Sequence, residues 1–142
     1  MHTSARNLFH GTVTAIHPGS VNSEIELTLA GGDRMTAVIT CNSVTELGLT
    51  VGGQAVALVK APWVILVCGA SDMRFSARNQ LTGIVTAVTP GAVNGNVTLT
   101  LPGGTPVHAV VTNAAIQELG LKPGVEATAL IKASHIIVGV NN

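Results

Sequence analysis

The sequence predicts an all-β chain made of two tandem five-stranded Greek-key barrels, each with one short helix. Three observations predict it. The chain repeats itself: shifted by 72 positions, Ser4–Ala70 aligns with Ser76–Asn142 without a gap, with 31 identities over 67 positions. Both copies carry the polar–apolar alternation of half-buried strands. Gly-Gly and Pro-Gly pairs punctuate both copies at matching places.

Each element follows in order. Phe9–His17 alternates and is rich in Val, Thr and Ile, the residues that suit a pleated surface. Pro18-Gly19 and Pro90-Gly91 make a turn. Glu24–Leu29 alternates again as a second strand, and Gly31-Gly32 with Gly103-Gly104 supplies the next hairpin, leading to a third strand at Met35–Thr40. Ser43–Leu47 forms a helical turn with Gly48 placed to cap it; Ala114–Leu119 with Gly120 is its counterpart. Gln54–Lys60 and Trp63–Val67 complete the unit. Three strands, a helix and two strands is the order of a small OB-like barrel. The expected organisation is therefore a first domain at 1–70, a short linker at 71–75 and a second domain at 76–142. The linker, Ser71-Asp72-Met73-Arg74-Phe75, does not have the composition of a flexible tether.

Composition excludes several classes. With 46% apolar and 10% charged residues, the chain is too hydrophobic for disorder. Seven acids balance seven bases, so it lacks the basic face that phosphate neutralisation requires. A barrel that holds single-stranded nucleic acid also needs aromatic platforms, and this chain has two Phe, one Trp and no Tyr. No nucleic-acid partner is expected, and no membrane partner. The longest apolar run, Ala61–Ala70, contains Pro62 and is about half the ~18–20 residues that span a bilayer. Met1–Arg6 has no apolar signal core, so a cytoplasmic location is expected. Cys41 and Cys68 have no metal spacing and do not recur between copies, which predicts buried thiols in a reducing compartment. So much apolar side chain on domains of this size predicts burial between subunits, hence a homo-oligomer.

The identities concentrate where packing does not explain them. Ser4-Ala5-Arg6-Asn7 recurs as Ser76-Ala77-Arg78-Asn79, Lys60-Ala61 as Lys132-Ala133, and Pro18–Asn22 as Pro90–Asn94 in a shared Pro-Gly-x-Val-Asn pattern. Of seven basic residues, four stand at equivalent places, namely Arg6, Arg78, Lys60 and Lys132. A repeated structural ion pair is the plain explanation, but the only matched acids are Glu46 and Glu118, on the helical turn. Ser hydroxyls, Asn amides, Arg, Lys and free backbone N–H groups are all donors. A tetrahedral dianion offers four acceptor oxygens and no donors, so such a set suits an oxyanion.

These residues resemble the Mop domain of molybdate-binding proteins, with Ser-Ala-Arg-Asn before the first strand and Lys132-Ala133-Ser134 after the fourth. The resemblance covers nearly the whole chain, twice, in the tandem arrangement of the molbindins. It implies trimers of the two-domain chain, with oxyanions bound between subunits where the two segments meet from different domains. Carried over, the ligand set is Ser4, Ala5, Arg6, Asn7, Lys60 and Ala61, with Ser76, Ala77, Arg78, Asn79, Lys132, Ala133 and Ser134. The first copy departs from the pattern: Pro62 stands where the second has Ser134, and proline has neither hydroxyl nor N–H. Gly19, Val21, Asn22, Gly91, Val93 and Asn94 read first as a plain Gly/Asn turn; the functional alternative is a second anion site where three copies meet on the threefold axis.

His2, His10, His17, His108 and His135 do not recur between copies, so they read as scattered surface histidines rather than cation ligands. No nucleophile–base or paired-carboxylate set repeats either, which favours a binding protein over an enzyme. The expected function is intracellular molybdate and tungstate binding for storage and homeostasis. The alternative is a structural or interaction trimer retaining a vestigial anion cleft. Neither a helix-turn-helix nor a P-loop is present, unlike the regulators and transporter ATPases that carry Mop pairs.

Overall fold

A computed structural model describes residues 1–69 and 72–141. The first copy contributes β1 (Asn7–Pro18), β2 (Asn22–Leu29), β3 (Arg34–Thr40), α1 (Cys41–Leu47), β4 (Gln54–Val59), a 3-10 turn (Ala61–Trp63) and β5 (Ile65–Val67). The second repeats the series as β6 (Asn79–Pro90), β7 (Asn94–Thr100), β8 (Pro106–Thr112), α2 (Asn113–Glu118), β9 (Glu126–Ile131), a 3-10 turn (Ala133–His135) and β10 (Ile137–Gly139). The all-β class, the two sheets of five strands and the short helices agree with the sequence reading.

The sheets are composite. One runs β10-β4-β1-β2-β3 and the other β5-β9-β6-β7-β8, so each copy lends its last strand to the other. Ile65–Val67 pairs antiparallel with Thr128–Leu130, and Ile137–Gly139 with Val56–Leu58. The expectation that Trp63–Val67 completes its own unit is corrected here. The segment instead turns at Ala61–Trp63, with the Trp63 N–H donating to the Lys60 carbonyl at 3.0 Å, and leaves for the neighbouring barrel. Periodicity marks a strand but does not say which edge receives it. The linker expected at 71–75 and both domain ends fall partly on Ala70, Ser71 and Asn142, outside the described residues.

Local chemistry sets the elements. On β2, Ser23, Ile25, Leu27 and Leu29 are buried while Glu24, Glu26 and Thr28 face outward. β1 and β6 each take a bulge, at Val13/Ala15 and Val85/Ala87, that bends a long strand so that it pairs on both edges. The helices start earlier than Gly placement alone predicts. Thr40 Oγ1 accepts the Ser43 N–H and Thr112 Oγ1 accepts the Ala115 N–H, both at 3.0 Å, so α1 begins at Cys41 and α2 at Asn113. Gly48 ends α1 in the left-handed region at φ 64.

The core is one continuous apolar cluster that draws on both barrels, including Ile25, Leu27, Met35 and Val59 of the first copy and Val85, Val97, Leu99 and Ile131 of the second. Equivalent positions of the two copies also meet. The hairpin tips touch at Gly31 and Gly103, where a Cβ on Gly31 would run into the Gly103 carbonyl and φ is 93. The rings of Trp63 and His135 lie 4.8 Å apart, tilted by 42°.

Candidate functional site

The two Ser-Ala-Arg-Asn segments each lead into the long first strand of their copy, and each is fastened to the opposite barrel by its asparagine. Asn79 is 2% exposed. Its Oδ1 accepts the Thr36 N–H at 2.7 Å and its Nδ2 donates to the carbonyls of Thr36 and Ile131. Asn7 does the same on the other side: its Oδ1 accepts the His108 N–H at 2.7 Å and its Nδ2 donates to the His108 carbonyl at 2.8 Å. A carboxamide thus copies a strand-to-strand peptide pair across the barrel interface. Both ends of each amide are engaged, so Asn7 and Asn79 hold their segments in place through their side chains, and the donors left for a ligand lie on the preceding residues.

Those residues face outward. Ser4, Arg6, Ser76 and Arg78 are exposed, and Ala5 and Ala77 are half-buried. Arg78 Nη1 donates to Glu24 Oε1 on β2 of the first copy, forming an ion pair across the barrels. Arg6 has no ion pair among the described residues. The pair joins an arginine that both copies share to an acid that they do not, since the counterpart of Glu24 is Asn96.

The Lys-Ala segments follow β4 and β9 as 3-10 turns. Ala61 and Ala133 are buried at 2% and 5%, while Lys60, Pro62, Lys132 and Ser134 project outward. Register places each Lys-Ala segment beside the Ser-Ala-Arg-Asn of its own copy: Asn7 opposes Val59 and Asn79 opposes Ile131. In the second copy they line one groove of about 430 Å³ with Ser76, Ala77, Arg78, Lys132, Ala133 and Ser134 along one side. Val38, Trp63 and Ile65 of the first copy and Phe75 and His135 of the second supply the apolar wall. The groove carries two positive charges and two hydroxyls beside that apolar wall, and charge-assisted donors to an anion are strong. The Lys60 ammonium stands 5.7 Å over the Trp63 ring.

The Pro-Gly-x-Val-Asn turns lie elsewhere. The Gly19 N–H donates to the Asn22 carbonyl at 2.9 Å, and each turn is pinned to the start of a helix, by Cys41 Sγ to the Gly19 carbonyl and Asn113 Nδ2 to the Gly91 carbonyl. Asn22 and Asn94 are exposed, and Val21 and Val93 are 70% and 73% exposed, so each barrel offers a bare apolar tip beside an amide.

Glu24, Trp63, Ile65, Phe75 and His135 were not legible as site residues. Trp63 and His135 are equivalent positions holding different side chains, so a search for identities passes over both. The histidines do not cluster: His108 Nδ1 lies 3.1 Å from Thr98 Oγ1, His17 pairs with Glu26 at 3.1 Å, and His135 packs on Trp63. Cys41 and Cys68 are free and half-buried rather than fully enclosed, and burial pushes the Cys68 thiol up from its ordinary value. No described helix is long and apolar enough to cross a membrane.

Fold and groove together define the class: a tandem pair of small OB-like barrels joined by exchanged strands, with a donor-lined groove at the joint. The TOBE domain model matches residues 3–66 and 76–138, and the chain belongs to that family in two tandem copies. It is 49% identical over 140 residues to the molybdenum-pterin-binding protein MopA of Rhodobacter capsulatus, covering 99% of this chain and 53% of that protein. It is 44% identical to the molybdenum transport protein ModE of Azotobacter vinelandii, over 99% of this chain and 52% of the relative. The chain thus spans about half the length of the curated relatives it matches. Among solved structures, that of the cytoplasmic molybdate-binding protein ModG with molybdate bound superposes with a TM-score of 0.95 at 52% identity, covering 99% of this chain and 100% of that one. The Mop resemblance read from the residues therefore holds.

Proposed function

We propose that this chain is an intracellular oxyanion-binding protein that takes up molybdate, and tungstate with it, for storage and homeostasis. The observation that carries the reading is the groove in which Ser76, Arg78, Lys132 and Ser134 converge as donors with no carboxylate in its lining. Molybdate and tungstate are dianions of nearly one size, so donors that suit one suit the other. Hydrogen phosphate carries a proton that needs an acceptor, and the lining holds no carboxylate to take it, only the Ser76 and Ser134 hydroxyls and the His135 ring as weaker acceptors. The likeness to ModG, described with molybdate bound and as cytoplasmic, supports the same ligand and location.

The ligand set is Ser4, Ala5, Arg6, Lys60 and Ala61 with Ser76, Ala77, Arg78, Lys132, Ala133 and Ser134, while Asn7 and Asn79 fix the segments that present it. Trimeric association closes these grooves between subunits. The exposed apolar pairs Val21/Val93 and Ile65/Ile137 support it, since each stands at equivalent places on both barrels, with Ile65 61% and Ile137 62% exposed. Association around the Val21 and Val93 tips brings Gly19, Asn22, Gly91 and Asn94 of three chains to a common axis as a further anion site. The role is binding rather than catalysis: Ser76, Ser134 and His135 line the groove, but His135 Nδ1 has no hydrogen-bond partner among the described residues, so neither hydroxyl is paired with it as a base. Equilibrium dialysis of the whole chain against molybdate tests it: saturable uptake is expected, and none would leave only the vestigial-cleft alternative.

A further inference from the structure

The two motif arginines, Arg6 and Arg78, are equivalent by sequence but not by surroundings. Asn79 fastens its segment to Thr36 on β3, which carries Arg78 over β2, where it meets Glu24. Glu24 stands opposite Val38, a groove-lining residue, and opposite His17 on the other edge. His17 itself pairs with Glu26. Glu24 therefore has Arg78 as its cationic partner, at the rim of the groove. In the other copy Asn7 fastens its segment to His108 on β8 in the same way, but the position equivalent to Glu24 is Asn96, which carries no charge.

We infer that Glu24 is an internal competitor for the anion: its carboxylate occupies the Arg78 guanidinium in the unliganded chain and must yield it when an oxyanion binds. This deepens the oxyanion reading and rests on it. The physics is a displacement. A dianion entering beside Arg78 exchanges one carboxylate partner for another anionic one and meets the repulsion of the carboxylate it displaces. The pair is partly solvated, with side chains 54% and 34% exposed, so screening keeps the penalty modest and leaves the site usable. At Arg6 no such exchange is required. One chain thereby holds a weak and a strong version of one site, which widens the range of anion concentration over which an oligomer loads and releases.

The test is titration of the intact protein with molybdate, comparing wild type, Glu24→Gln, Asn96→Glu, Arg78→Ala and the Glu24→Gln/Arg78→Ala pair at one salt concentration. Glu24→Gln should tighten half of the sites by roughly twofold to fivefold, the span an exposed ion pair commands. Asn96→Glu, which puts a carboxylate at the position equivalent to Glu24, should loosen the other half by a similar factor. In the Arg78→Ala background, Glu24→Gln should change nothing. Glu24→Gln binding with wild-type tightness, or tightening equally without Arg78, overturns the competitor role while leaving oxyanion binding intact. A wild type that takes up no molybdate overturns both.

Discussion

At the residue scale, four identical tetrapeptide positions divide into two jobs. Ser and Arg face solvent as donors, whereas Asn7 and Asn79 turn inward and bond the opposite barrel's backbone. Asn79→Ala removes an amide that serves three backbone groups and leaves the Thr36 N–H and carbonyl without it; each unmet buried group costs roughly 1–3 kcal/mol. Thermal or urea unfolding should show a loss of about 2–4 kcal/mol, with weaker anion binding following from a loosened segment. Wild-type stability in that variant would show that the staple is dispensable. Lys132→Ala should do the reverse, leaving the unfolding curve nearly unchanged and weakening part of the binding by about 1.5–3 kcal/mol, since a charged donor is lost from an exposed strand end. Pro62→Ser should tighten the sites that end in Ala61-Pro62 by roughly fivefold, as one neutral hydrogen bond of about 1 kcal/mol is gained. A titration unchanged by Pro62→Ser would show that this position does not touch the anion.

At the scale of elements, the repeat made the strands, turns and helices legible, because both copies carry the same alternation and punctuation. Boundaries shifted where a side chain rather than a pattern sets the end, as Thr40 and Thr112 do by capping helices that the glycines mark only at their far ends. Strand exchange was not legible. Ile65–Val67 and Ile137–Gly139 have the same composition whichever sheet receives them, and the choice is made by the 3-10 turns at Ala61 and Ala133. The Arg78–Glu24 pair was hidden for a related reason, since it joins a shared residue to an unshared one. Exchange predicts that neither repeat stands alone as a monomer: a chain ending at Ala70 lacks the β10 edge that covers β4. Expressed by itself, it should dimerise or remain unfolded, and a folded monomer by sedimentation and circular dichroism would contradict the exchange.

At the scale of the molecule, the two barrels act as one body because strands, asparagines, glycine tips and the Trp63–His135 stack all cross the joint. Among the described residues, nine large apolar side chains remain 43% or more exposed, among them the equivalent pairs Val21/Val93 and Ile65/Ile137. Burying them between subunits removes that apolar area from water at roughly 25 cal/mol per Å². A sedimentation mass near three chains is expected, and a stable monomer at micromolar concentration would remove the shared-groove arrangement. On the function proposed above, the donors shared by both repeats hold a tetrahedral dianion. Calorimetric titration of anion-free protein with molybdate, tungstate, sulfate and phosphate tests it most directly. Molybdate and tungstate should bind saturably with similar heats while phosphate binds far more weakly; a flat molybdate titration, or phosphate binding as tightly, would contradict it.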